Sequence, residues 1–129
     1  MIDSGRPHRK LGVWQYSMQL VKTVYDLTKG FPKVQTFVLS SQIQRAAISI
    51  PSNIAEGAAR KSRNEFLHSL NIAQGSLSEL DTQLELAYNL KYIDEAQHSK
   101  AMLELTSTFK MLSGLVKSLK AKEVRGGVK

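Results

Sequence analysis

At 129 residues, with 42% of them hydrophobic, the chain is long enough for one packed domain and too apolar for global disorder. It has no cysteine, which excludes disulfides and thiolate metal sites and fits a reducing compartment. A formal charge of +7 points towards acidic partners such as nucleic acid. The opening stretch MIDSGRPHRKLGVW has no apolar h-region, so no secretory leader is expected. No apolar run approaches the roughly 20 residues that cross a bilayer. A cytoplasmic protein without membrane contact is the expectation.

Residues 1–11 are polar and basic, with Pro7 opposing regular structure, and read as a mobile arm. A first helix is predicted over 13–29, where Trp14, Met18, Val21 and Tyr25 form one row and Leu20, Val24 and Leu27 another. Gly30 is placed to end it in the left-handed conformation, with Pro32 following. In the connector, Phe37, Val38 and Leu39 are expected to tuck under the helices. Ser41 with Gln44 has the spacing of a capping box for the next helix.

That second helix, 41–60, organises the rest. Ile43, Ala47, Ile50, Ile54 and Ala58 recur at steps of four and three, so they share one face. Ile48, Pro51, Ala55 and Ala59 repeat the spacing on a neighbouring face. A helix apolar over so wide an arc must bury against several neighbours, so this second row is the expected oligomer interface. Pro51 removes one N–H and crowds the carbonyl of Ala47, at about 3 kcal/mol. Because the apolar register stays in phase across it, one kinked helix is expected rather than two.

Ser62 with Glu65 opens a third helix over 62–91, about 44 Å long. Phe66, Leu70, Ala73, Leu77, Leu80, Leu84 and Ala87 form its heptad seam. Gly75 inside it is expected to admit a close neighbour. Asp94 with Gln97 caps a fourth helix over 94–120 on a spine of Leu105, Leu112 and Leu119, and the basic tail after it should fray. Four helices, short turns and no strand pattern predict a single all-α domain, an antiparallel up-down-up-down four-helix bundle.

In that topology the chain start, the second turn and the end of the fourth helix share one pole. It collects Arg6, Arg9, Lys10, Arg60, Lys61, Arg63, Lys117, Lys120, Lys122, Arg125 and Lys129 against Asp3, Glu56, Glu65 and Glu123. The remaining charges balance, so the whole excess of +7 sits at this pole. Localised positive charge of this kind suits phosphate-backbone contact with little sequence reading. It also suits plain solubility and helix-dipole compensation. No aromatic residues are interleaved with these cations, which argues against single-strand stacking.

Other chemistry is weakly supported. The pairs Glu65/His68 and Glu95/His98 have di-iron spacing, but they fall at opposite ends of the bundle, about 25–30 Å apart. No metal site or cofactor is expected. The stretch from Gly57 to Ser62 lacks the second glycine and the preceding strand of a phosphate loop. His8, His68 and His98 lie on three separate segments, so no nucleophile-base arrangement is indicated. Arg45 and Glu79 come level on neighbouring helices and read as a structural ion pair.

The motifs SIPSNIAEG (49–57) and IAQGSLSEL (72–80), with WQYSMQL, SQIQRAA and LKYI, resemble a known bacterial family. It comprises four-helix-bundle proteins encoded by intervening sequences of large-subunit ribosomal RNA genes, related to the accessory variability proteins of diversity-generating retroelements. The resemblance spans residues 11–93. It implies a homo-oligomeric, five-membered ring without enzymatic activity and, in the retroelement branch, binding to nucleic acid and to a reverse transcriptase. Two departures stand out. The connector 34–38 is apolar where relatives are often acidic, and Lys91 occupies the place of a helix-ending glycine. The combined expectation is a non-enzymatic oligomeric scaffold that contacts RNA or DNA through its basic pole. The rival is a protein-interaction ring with no nucleic-acid role.

Overall fold

The apolar rows read from the sequence become the core. Leu20 and Val24 of the first helix, Ile43, Ile50 and Ile54 of the second, Leu70, Leu77, Leu80 and Leu84 of the third and Leu112 of the fourth are sealed from water. Each such side chain contributes about 1.5–3 kcal/mol of burial. The computed structural model describes residues 5–128, with side chains described through Lys122. The elements are α1 (Gly12–Thr28), α2 (Leu39–Ala58), α3 (Arg63–Asn89) and α4 (Glu95–Val128). Short 3-10 turns lie at Pro7–Lys10 and Lys33–Gln35, and no strand occurs among the described residues. Three of the polar residues enclosed with the core bond their own helix: Ser17 Oγ donates to Trp14 O at 2.7 Å, Thr28 Oγ1 to Tyr25 O at 3.1 Å and Thr108 Oγ1 to Glu104 O at 2.8 Å.

Two of the expected caps form. Ser62 Oγ accepts from Glu65 N–H at 3.1 Å, and Asp94 and Gln97 exchange reciprocal bonds of 2.8 and 2.9 Å. The Ser41–Gln44 box does not. α2 begins two residues earlier, at Leu39, with no side-chain cap. Gln44 instead reaches across to α1 and donates to Thr28 Oγ1 at 3.0 Å, because a tertiary acceptor lies within its reach. Gly30 does not supply a left-handed stop, since Lys29 ends α1 in right-handed geometry and the following N–H groups close 3-10-like turns. α2 runs as a single helix through Pro51, whose ring is itself buried. α4 does not fray at Lys120 but continues to Val128.

The end of α3 shows how this chain manages without the usual glycine. Lys91 takes a φ of 66°, the left-handed region. Its N–H bonds Tyr88 O at 3.0 Å, and Tyr92 N–H reaches back to Ala87 O at 2.9 Å, which is a Schellman closure. A side chain there is strained, so Lys91→Gly is expected to stabilise the fold by about 0.5–1 kcal/mol. That gain corresponds to a midpoint rise of roughly 2–4 °C in thermal unfolding followed by circular dichroism.

The connector departs most from expectation. Phe31 is buried, but Phe37 is 92% exposed and Val38 54%, so neither tucks under the helices; only Leu39 packs partly against the core. The turn at Lys33–Gln35 ends just before them and turns their side chains outward.

Candidate nucleic-acid interface

The N-terminal segment is held in place, not a mobile arm over its described part. Pro7 starts a 3-10 turn that packs on α1 and α2. His8 meets the Trp14 ring edge-on at 4.9 Å, and the Arg9 guanidinium lies 5.6 Å from the centre of the same ring. Gln15 Nε2 donates to Arg9 O at 3.0 Å. Trp14 lines a groove with Ser52 and Ala55 of α2, which sets the basic turn beside the end of α2.

The turn between α2 and α3 is fixed by close backbone approach. A Cβ added at Gly57 would lie 2.7 Å from Ser69 Cβ and 2.9 Å from Phe66 Cδ1. Glycine is therefore what lets these helices meet here. Farther along, Ser49 Oγ and Ser76 Oγ share a 2.8 Å hydrogen bond, and Asn53 Nδ2 donates to Ser49 O and Oγ at 2.8 and 3.0 Å. The residues carrying the family resemblance thus form the α2–α3 seam. On the other side, the start of α1 meets α4, because a Cβ on Gly12 would touch Met111 Cε. Lys117 lies six residues beyond Met111, about 9 Å along α4.

These contacts bring the basic turn, the α2–α3 turn and the last turns of α4 towards one end. Arg60 is engaged there by Glu56 at 3.1 Å and Glu65 at 3.9 Å. Lys61, Arg63, Lys117, Lys120 and Lys122 are exposed, and none forms an ion pair with a described residue. Arg6 and Lys10 are also exposed, whereas Arg9 is half-buried over Trp14. Arg125 lies beyond the described side chains, and Lys129, like Asp3, beyond the described residues.

Three other expectations meet the structure as follows. Arg45 and Glu79 are not joined: both are exposed, and two solvated side chains gain too little from pairing to hold one geometry. In the second row of α2, Pro51 is buried and Ala55 half-buried against Trp14 and Met18 of α1, while Ile48 (42%) and Ala59 stay exposed. His98, whose spacing from Glu95 is that of a di-iron pair, instead joins two helices. It stacks on Tyr88 at 4.5 Å and its Nε2 lies 3.0 Å from Glu85 Oε1, tying α4 to α3. The residues that make this clamp lie ten and thirteen positions apart, so no local spacing announced it. Among the described residues no cluster of three His, Asp or Glu side chains could hold a metal ion, and no helix is long and apolar enough to cross a membrane.

No curated protein is similar enough to this chain to match. A solved structure from Bacteroides thetaiotaomicron, described as a protein of unknown function from the S23 ribosomal protein family, is similar at 32% identity and a TM-score of 0.76. The likeness covers 81% of this chain and 98% of that one. The sequence model of the 23S rRNA-intervening sequence protein family matches residues 9–114. That span takes in the Trp14 anchor, the Ser49–Asn53–Ser76 seam, Gly57 and the His98 clamp, and on it the chain belongs to the 23S rRNA-intervening sequence protein family.

Proposed function

We propose that this protein is a non-enzymatic oligomeric scaffold that contacts RNA or DNA through its basic end. In this reading the helices run up-down-up-down and several copies, five by the family resemblance, close a ring that repeats the basic end around its axis. Opposing contact order supports the up-down arrangement: Ser49 meets Ser76, while the later Gly57 meets the earlier Phe66 and Ser69. The exposed part of the α2 row, Ile48 and Ala59 with the groove beside Pro51 and Ala55, supports association.

The observation that carries the nucleic-acid reading is the set of five exposed lysines and arginines, Lys61, Arg63, Lys117, Lys120 and Lys122, drawn from two separate parts of the chain. Cations placed this way neutralise phosphates and release counterions, and the effect depends steeply on salt. The family's link to 23S rRNA intervening sequences makes such an RNA the first probe, with duplex DNA beside it. Binding measured by fluorescence anisotropy from 50 to 200 mM salt should give a log–log slope of about −4 on duplex DNA, indifferent to sequence. No binding at the lowest salt would leave the protein-interaction ring as the reading.

A further inference from the structure

The connector between α1 and α2 carries an apolar knob that none of the described residues of its own chain covers. Phe37 is 92% exposed and Val34 78%, with Val38 next in sequence and the exposed Lys33 at the edge. A buried aromatic side chain removes roughly 150–250 Å² from water, so a ring this open marks an unfilled contact. Elsewhere, between α1 and α4, lies a groove of about 360 Å³ whose walls include Tyr16, Gln19, Leu103 and Glu104. Leu103 is 71% exposed and Tyr16 51%. On the same wall Glu104 Oε1 is cut off from water and has no hydrogen-bond partner among the described residues, an arrangement that costs energy until a donor reaches it.

Knob and groove are complementary: one is apolar with a cation at its edge, the other apolar with an unsatisfied carboxylate. They cannot meet within one copy. The knob lies past the end of α1, whereas Gln19 precedes Thr28 by nine residues, about 14 Å of helix.

We propose that the segment 33–38 of one copy docks in the α1–α4 groove of the next, Phe37 against Leu103 and Tyr16, and the Lys33 ammonium on the Glu104 carboxylate. The inference rests on the oligomeric reading above and names its joint. Because two different surfaces meet, the contact is heterologous and repeats from copy to copy until the rotation closes a ring.

The test uses Phe37→Asp, which blocks the knob, and Leu103→Asp, which blocks the groove; both positions are exposed, and circular dichroism checks folding. Sedimentation velocity is run on the wild type, each variant and their equimolar mixture. Each variant alone should fall to monomer, and the mixture should form a one-to-one heterodimer, since one intact knob still meets one intact groove. The milder Phe37→Ala should weaken assembly about 30-fold. Variants that assemble like the wild type, or a mixture that stays monomeric, would overturn this joint while leaving the ring intact as a reading. A folded wild type that remains monomeric at every concentration would overturn the ring, and the joint with it.

Discussion

Reversing charge at the α2–α3 turn, with Arg60, Lys61 and Arg63 all replaced by glutamate, should abolish nucleic-acid binding near physiological salt. The three residues do not contribute equally. Arg60 already shares its guanidinium with Glu56 and Glu65, so it gives less to a phosphate than its neighbours. Lys61 and Arg63 are exposed with no ion pair among the described residues. Each lost phosphate contact lowers the salt slope by about one, so the triple variant should lose roughly two of the wild type's four or so, through Lys61 and Arg63, with a smaller share from Arg60. Affinity should fall about 100-fold or more, and equally for every sequence, because backbone contacts read none. Anisotropy titrations of the wild type and the variant on one 23S-derived RNA and one unrelated duplex check both points. Unchanged affinity would move the contact away from this turn.

The second large effect lies at Gly57. In an isolated helix Gly→Ala stabilises by about 1 kcal/mol. Here the added methyl would press on Ser69 Cβ, the Phe66 ring and, at 3.3 Å, the Phe66 carbonyl oxygen, so it cannot be relieved by one flexible side chain. Overpacking of that kind costs typically about 1–3 kcal/mol, which offsets or exceeds the propensity gain. Gly57→Leu, with three further carbons in the same gap, should destabilise by about 3 kcal/mol or more, a fall of roughly 12 °C in thermal midpoint. Gly75 is the control. A Cβ there meets nothing within 4 Å, so Gly75→Ala should gain about 1 kcal/mol. Thermal unfolding of the three variants side by side separates steric contact from helix propensity, and a Gly57→Leu protein as stable as the wild type would refute the close crossing.

The contrast between these two glycines shows how legible the chain was. Residue spacing marked both as helix-interior and suggested the close neighbour at Gly75. The neighbour is at Gly57, because helix crossing distance is set where Ser69 and Phe66 arrive from another element, and no periodicity within α2 records that. The capping boxes behaved similarly. Ser62 and Asp94 meet no competing partner from another helix among the described residues and cap as their spacing predicts, whereas Gln44 is drawn to Thr28 of α1. The basic site was legible as a composition of three chain segments. That Arg9 sits over Trp14, and that Arg60 is partly spent on two glutamates, depends on side chains meeting across turns.

By itself the sequence determined that the protein is all-helical, where its four helices lie to within a few residues except at the end of α4, which leucines and isoleucines are sealed in the core, and that the charge excess is gathered in three segments. Those properties follow from three- and four-residue periodicity, from local caps and from counting, all of which act over a turn or two of chain. Only the tertiary structure decided that Phe37 points outward, that Glu104 keeps an unsatisfied oxygen beside an open groove, that His98 clamps α3, and that Pro51 is covered from within its own chain. Each depends on which surfaces remain after distant helices have packed, and that remainder is a property of the assembled fold, not of any one segment.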